Sequence, residues 1–503
     1  MAKEKKRSRK REQRKEQIPE GKKVWLLAGL VVVWTFLIYA NIYSNSAQFD
    51  DSFWMSLEEL RDISDLSAIF SINPFRFIPF FTFALNHSIH GYDLAGYYFF
   101  NVLIHALNGL MVFYLIRTIF KTPAVKDLPI ARHSLIIAFF AALIFVSHPV
   151  QTQAVTYIYQ RITSIASLFY ISAAAFYIRA RIAEEKNIRI RFFALSVISI
   201  IFAFFSKEST FSIPLMLILS EFAFFQKKLK INAKQIIFAS VFIVIGLALF
   251  FAFDFDRKVL RTYTTYTGET INNWNYFVTQ FDVFLTYIKL LFLPLSQNVD
   301  YYFPVSESIF NAGPLIGLVV VSALLATGIF LFKKNRLLSF GIFWIFIALI
   351  VESSFIPIMD VIMEHRLYLP MAGFSLFLVA AFYKLLWERS RQAVTALSVL
   401  VIVFFSLLTY QRNEVWSTPM TFWSDVIEKS PQKARPYNGR GLAYFEENKL
   451  QEALSDFNKA IEINPELASA FQNRGNTFMK MSRFESALAD FNKAIELNPE
   501  NPS

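Results

Sequence analysis

The chain has 503 residues, 50 of them Lys or Arg against 39 Asp or Glu for a net charge of +11, and 55% of it is hydrophobic with 57 Phe and no Cys. That balance excludes an ordinary soluble enzyme, because apolar runs near twenty residues recur from 24 to about 410, each long enough to cross a hydrocarbon core of about 30 Å as a helix. The missing cysteines exclude disulfides, thiolate metal centres and cysteine nucleophiles. Nucleic acid is not the implied partner either, since residues 1–23 alone carry eleven Lys/Arg and four Glu, +7 of the total.

In chain order, 1–23 reads as a basic cytosolic tail beside anionic lipid. Residues 24–43 read as a signal anchor, followed by Asn41, Tyr43, Asn45 and Gln48 rather than by a small-residue cleavage site. Further spans are predicted at 96–119, 134–147, 162–179, 192–205, 209–225, 235–253, 312–332, 337–354, 368–386 and 393–410. That makes eleven in an all-α membrane domain over 24–410. The short basic loops 121–132, 179–191, 227–234, 333–336 and 389–391 belong in the cytosol. Loops 44–95, 148–161, 253–314 and 353–367, with the Ser206-Lys207-Glu208 turn, then lie on the extracytoplasmic side of the bilayer. Residues 276–293 are also apolar but carry Asp282 and Lys289 and end at Pro294; as a span they would place Lys333, Lys334 and Arg336 outside. An interfacial or re-entrant helix is expected there.

Past 410 the composition turns charged and Asn-rich, and a repeat appears. Arg440-Gly441 recurs as Arg474-Gly475, Asp456-Phe457-Asn458-Lys459-Ala460-Ile461-Glu462 recurs as Asp490-Phe491-Asn492-Lys493-Ala494-Ile495-Glu496, and Pro431, Pro465 and Pro499 keep the same offset of 34. This resembles the tetratricopeptide repeat (TPR), a helix hairpin that stacks into a short array over 411–503. On the predicted topology the array is extracytoplasmic, with a groove able to hold a protein partner.

Several polar groups are more than apolar spans need. Adjacent carboxylates Asp50 and Asp51 follow the first span; one can stay a proton acceptor, or the pair can hold a divalent cation, while the plain reading is a helix cap. No metal ligand set is otherwise assigned. Arg76, after Asn73-Pro74-Phe75, is an anion-binding candidate. Asn101, His105 and Asn108 share one helical face, and Asn101 and Asn108 read as hydrogen-bonding glue between helices. His148 can orient a hydroxyl or cap the preceding helix. Lys207 and Glu208 sit between two spans too closely placed for a sizeable loop, where a charged pair implies function or a lysine snorkelling to the surface. His365 and Arg366, in Glu364-His365-Arg366-Leu367-Tyr368, suit a phosphate. Under this one topology Asp50, Asp51, Arg76, His148, Arg161, Lys207, Glu208, His365 and Arg366 all fall on the outer side, which points to an outward-facing active site.

Asp50-Asp51, the 73–108 stretch, His148-Pro149-Val150 with Arg161, Lys207-Glu208, Arg366-Leu367-Tyr368-Leu369-Pro370 and the terminal repeats, in that order, resemble the transmembrane and TPR-containing O-mannosyltransferases (TMTC-type), in a bacterial relative. That resemblance implies the GT-C fold and an inverting glycosyltransferase that moves a monosaccharide from a polyprenyl-phosphate sugar to a protein, glycan or lipid hydroxyl outside the cytosol. It implies Asp50 or Asp51 as the base, which leaves Glu208 as an orienting carboxylate. Arg366, His365, Arg161, Lys207 and Arg76 are then the donor-phosphate candidates, and His148 and Tyr368 the groups facing the acceptor. Gln153 stands where an acidic residue is expected in animal relatives. Two other classes fit parts of the chain, a TPR membrane scaffold and a transporter of lipid-linked sugar.

Overall fold

The computed structural model describes residues 19–226, 263–264, 270–387 and 390–499. Most of the basic tail, loop 227–234, the predicted span 235–253, much of the 253–314 loop's first part and Arg389 lie outside the described residues. The fold is helical apart from a two-residue antiparallel pair, Tyr263–Thr264 with Thr270–Ile271. The helices before the repeats are α1 (Glu20–Ile38), α2 (Phe77–His90), α3 (Leu94–Ile119), α4 (Ser134–Ser147), α5 (Arg161–Ile182), α6 (Lys186–Phe204), α7 (Ile213–Phe224), α8 (Asn273–Phe292), α9 (Ala312–Lys334), α10 (Arg336–Leu349), α11 (Pro370–Leu386) and α12 (Arg391–Val415), with shorter turns between them. Each of the ten predicted spans within the described residues coincides with one of them. Among those residues seven helices are long and apolar enough to cross a membrane, as fits a multi-pass membrane protein.

Two segments depart from the sequence reading. The 44–95 loop carries helices of its own, Leu66–Ile72 and α2, which meet at a 107° bend over Pro74. Proline lacks the donor that would continue the first helix and starts a new turn, which the Asn73 side chain caps by accepting from Phe75 N. The predicted span 337–354 stops being helical at Leu349, and the chain beyond it turns so that Glu352 reaches Lys207.

The helices alternate in direction, and their contacts place one set of ends together. Asn41, just past α1, donates to Tyr410 O near the end of α12, and Thr409 of α12 donates to Ser147 O at the end of α4. Arg161, at the start of α5, donates to Asn101 in α3. Lys207, past α6, donates to Thr163 in α5 and pairs with Glu352 past α10. The opposite end holds Arg336, whose Nη1 donates to Phe222 O, Ala223 O and Gln226 O and so satisfies the carbonyls at the end of α7.

Helix α8, residues 273–292, has twenty residues and a length of about 30 Å, and several of its contacts fall at the first of these two ends. Its Tyr276 donates to Glu352 O, Phe284 stacks on Phe346 in the last turn of α10, Tyr287 donates to Met363 O, Leu291 O accepts from His148, and Phe292 meets Phe374 in the first turns of α11. A crossing helix would touch both ends of its neighbours. These contacts lie at one set of helix ends, and α8 is not among the seven helices long and apolar enough to cross. It beds onto the start of α9 through Gly313 and Gly317, where a Cβ at Gly317 would come 2.0 Å from Phe281 O. Gly317→Ala is expected to push α8 off α9 and destabilise the fold by roughly 1–3 kcal/mol. Thermal unfolding of the purified variant in detergent checks this, and an unchanged midpoint would contradict the close approach.

Beyond α12 come α13 (Pro419–Lys429), α14 (Ala434–Glu446), α15 (Leu450–Ile463), α16 (Ala468–Lys480) and α17 (Phe484–Leu497). The 34-residue offset reappears as geometry. Arg440 binds Asp456 and Arg474 binds Asp490 through two-pronged ion pairs, and Asn448 and Ser482 both turn the chain at φ near +60°. At Gly441 and Gly475 a Cβ would meet the Phe457 and Phe491 rings at 2.7 and 2.8 Å, so only glycine lets the paired helices close.

Candidate functional site

The chain leaves α1 through a loop and makes a tight turn at Phe49, whose φ of +58° is in the left-handed region that a bulky side chain rarely occupies. The two aspartates that follow it sit in different surroundings. Asp51 is buried, with Oδ1 accepting from Tyr159 N at 2.9 Å and Trp54 Nε1 at 3.3 Å and Oδ2 accepting from Gln48 N at 3.2 Å. Asp50 opens to solvent and caps the short helix Asp51–Ser56 only by position. Its Oδ2 accepts from Tyr157 Oη at 2.7 Å, and its own N–H donates back to the same oxygen. Partial burial of the carboxyl raises Asp50 above the usual carboxylate range, while Tyr157 and Arg435 pull it partly back.

A divalent cation does not suit this pair. Three N–H donors already point at the oxygens of Asp51, which leaves one carboxylate facing outward. Among the described residues no group of three His, Asp or Glu gathers elsewhere to hold a metal.

From Asp51 the polar chain continues through Tyr159, whose hydroxyl accepts from Arg76 Nη1 at 3.3 Å. Arg76 pairs with Glu208 at 3.5 Å, both part-exposed. Next to Glu208, Lys207 pairs with Glu352 at 2.7 Å in a buried setting and also donates to Thr163. Thr163, Ser167, Lys207, Glu352, His365 and Arg366 line one small polar cavity. Burial would raise Glu352, but Lys207, Arg366 and Arg76 overcome it and hold it below the usual range. His365 is driven well below its ordinary value by burial and by the same three cations, so it is neutral, and its buried Nδ1 has no hydrogen-bond partner among the described residues.

The sequence candidates thus separate. Asp50, Asp51, Arg76, Lys207, Glu208, His365 and Arg366 come together at one end of the bundle. Arg366 enters this cluster with its guanidinium already engaged, donating to Val361 O at 2.9 Å, Asp360 O at 2.6 Å and Tyr276 Oη at 3.3 Å, so it shapes its own loop. Arg161, His148 and Tyr368 are packed away from it. Arg161 is fully buried and donates to Asn101 Oδ1, Asn86 Oδ1, Tyr97 O and Thr82 O, with Phe83 against its face. His148 caps the turn after α4 by accepting from Val150 N and donates to Leu291 O. Tyr368 donates to His105 within the core. Asn101 and Asn108 join helices as expected, Asn108 by donating to Ser164 O.

Sequence reasoning missed Tyr157, Glu352, Asp300, Asp360, Lys433 and Arg435. Glu352 had a signal, a lone carboxylate inside an apolar run. Tyr157 and Arg435 had none.

The tetratricopeptide repeat family matches residues 468–501, and a TPR repeat family matches 441–482. The protein O-mannosyl-transferase F38B6.6 of Caenorhabditis elegans is 24% identical over 413 residues, which cover 81% of this chain and 55% of that protein. Human protein O-mannosyl-transferase TMTC3 is 21% identical over 502 residues, covering 87% of this chain and 51% of that one. Drosophila melanogaster protein O-mannosyl-transferase Tmtc3 is 31% identical over 133 residues, 25% of this chain and 14% of its own length. The chain spans about half the length of the curated relatives it matches most fully.

Burial pushes Asp51 up to about 7 despite its three N–H donors. A carboxyl raised on folding stabilises fully below its unfolded value and loses that contribution as pH climbs through 7. Wild-type protein is therefore expected to unfold at a lower temperature at pH 8 than at pH 5. Asp51→Asn should flatten that slope, and equal slopes in the two proteins would remove Asp51 as its source. The curated homologues of this chain are protein O-mannosyl-transferases of the TMTC type, as its ordered motifs and terminal TPR repeats led us to expect.

Proposed function

We propose that this chain is a glycosyltransferase that moves a monosaccharide from a polyprenyl-phosphate sugar to a protein hydroxyl on the extracytoplasmic side of the membrane, with inversion at the anomeric carbon. The observation that carries the reading is Asp50, an outward-facing carboxylate held by Tyr157 at the same end of the bundle as Arg76, Lys207 and His365. A lipid-phosphate sugar brings its own leaving group, so the protein has to supply a base and positive charge. Asp50 takes the proton of the acceptor hydroxyl. The freed oxygen attacks the anomeric carbon as the bond to phosphate breaks, and the polyprenyl phosphate departs as an anion.

Among the cations, Arg76 is the best placed to meet that phosphate. Its ion pair with Glu208 is long at 3.5 Å, and both side chains are part-exposed. Lys207 adds charge from the cavity, and the neutral His365 offers a ring nitrogen to the sugar or phosphate. Arg366 and Arg161 have their donors committed and act by holding loop and helices. The basic loops at the other end of the bundle support a cytosolic position for that end, which leaves the site and the repeats outside. The printed names of the relatives support a protein acceptor and mannose as the first sugar to try.

Asp50→Asn is expected to lower transfer from a labelled polyprenyl-phosphate hexose to a Ser/Thr peptide by about 100-fold or more, with donor binding retained. Arg76→Ala should instead weaken donor binding. Transfer by Asp50→Asn at the wild-type rate would dismiss the base. A reporter fused after Ser503 is expected to report from outside the cytosol, and a cytosolic signal would overturn the sidedness.

A further inference from the structure

The turn that carries Asp50 is held by the repeat module. Phe49, in its left-handed conformation, has its ring against Tyr157 at 5.8 Å, Trp423 at 5.9 Å and Phe422 at 6.2 Å, and the Arg435 guanidinium lies over it at 4.7 Å. Three of those four groups come from α13 and α14. A strained non-glycine φ of this kind persists only where surrounding contacts enforce it.

Arg435 is also tied into the membrane domain. Its Nε and Nη2 donate to the two oxygens of Asp300 at 2.7 and 2.6 Å, and Nη2 lies 3.3 Å from Asp360. Lys433 pairs with the same buried Asp300 and donates to Tyr301 O. Asp360 O in turn accepts from Arg366, in the loop that carries His365. Trp416 stacks on Tyr157, the residue that holds the Asp50 carboxyl. The first part of the repeat array therefore touches the base through Phe49, its hydrogen-bond partner through Trp416, and the cavity loop through Asp360.

We propose that the repeat module is a structural part of the active site, with Arg435 as a positioning residue that holds the Phe49–Asp50 turn against the membrane domain. This rests on the reading of Asp50 as the base. The charged and titratable groups facing Asp50 are Tyr157, Asp51, Asp300, Asp360 and Arg435, and Arg435 is the cation among those named. Its role is independent of any acceptor lying in the TPR groove, so it acts on short acceptors too.

The test compares full-length wild type, Arg435→Ala, Arg435→Lys and Arg474→Ala, the last breaking an ion pair with Asp490 within the repeats and away from the junction. Transfer to a five-residue Ser/Thr peptide is measured from pH 5 to 9, and hydrogen exchange is followed over residues 46–52 and 297–303. Arg435→Ala is expected to lower kcat roughly tenfold to 100-fold with little change in the KM for donor. Its acid limb should move to higher pH, because Asp50 loses a neighbouring cation and must lose its proton to act. Arg435→Lys should restore part of the rate and of the pH profile, and Arg474→Ala should retain both. Exchange should rise in both segments in Arg435→Ala alone. A wild-type pH profile in Arg435→Ala, or a loss of equal size in Arg474→Ala, would overturn the proposal, the second because it would reduce the effect to repeat stability. If wild type transfers no sugar, the glycosyltransferase reading fails, while unchanged exchange in Arg435→Ala would separately refute the positioning role.

Discussion

Hydrocarbon does not tolerate unpaired charge, and this chain depends on where that constraint sends its ionisable groups. Helices that cross and return leave their polar residues at two ends. One end here keeps mainly Lys and Arg, as at Arg336 over the end of α7. The other collects carboxylates and cations together, and several buried charges there have partners: Lys207 has Glu352, Arg366 has backbone carbonyls, and Asp300 has Lys433 and Arg435. Removing one member of such a pair leaves a buried charge exposed to a medium that cannot solvate it, so the cluster holds the ends of the helices as much as it offers chemistry.

The same constraint sorts arginines by use. Arg161 spends its donors on two asparagines and two carbonyls while an aromatic ring covers its face, which closes α2, α3 and α5 around it. Nothing about an arginine at the start of an apolar span distinguishes that fate from ligand binding. Arg76, released from helix by Pro74 and balanced loosely by Glu208, is the contrasting case. Commitment of the donors separates the two roles, and it is visible only when the partners are in place.

The repeats add a second kind of coupling. α13 follows the last membrane helix after a short break, and its aromatic residues pack directly on the loop behind α1, joining segments more than 360 residues apart in sequence, as the bond from Ser46 N to Ser417 O illustrates. A module of this kind is usually regarded as an appendage that recognises partners. Here its first helices also close the polar end of the membrane domain, burying Asp300 and Trp416.

Local chemistry was legible from the sequence. Apolar length fixed ten helices within the described residues, the 34-residue period gave the repeats, and the charges of 276–293 marked α8 as a poor crossing, several of whose contacts lie at one set of helix ends. The gathering of Asp50, Arg76, Lys207 and His365 at one end followed from alternation of the helices alone. Tertiary structure decided the rest. It made Asp50 rather than Asp51 the outward carboxylate past the turn at Phe49, ended α10 early so that Glu352 could meet Lys207, and brought Arg435 from the repeats to Asp300. Periodicity and charge report what a segment does with its nearest neighbours and with the bilayer, whereas the partner of a buried polar group is set by which helices pack together.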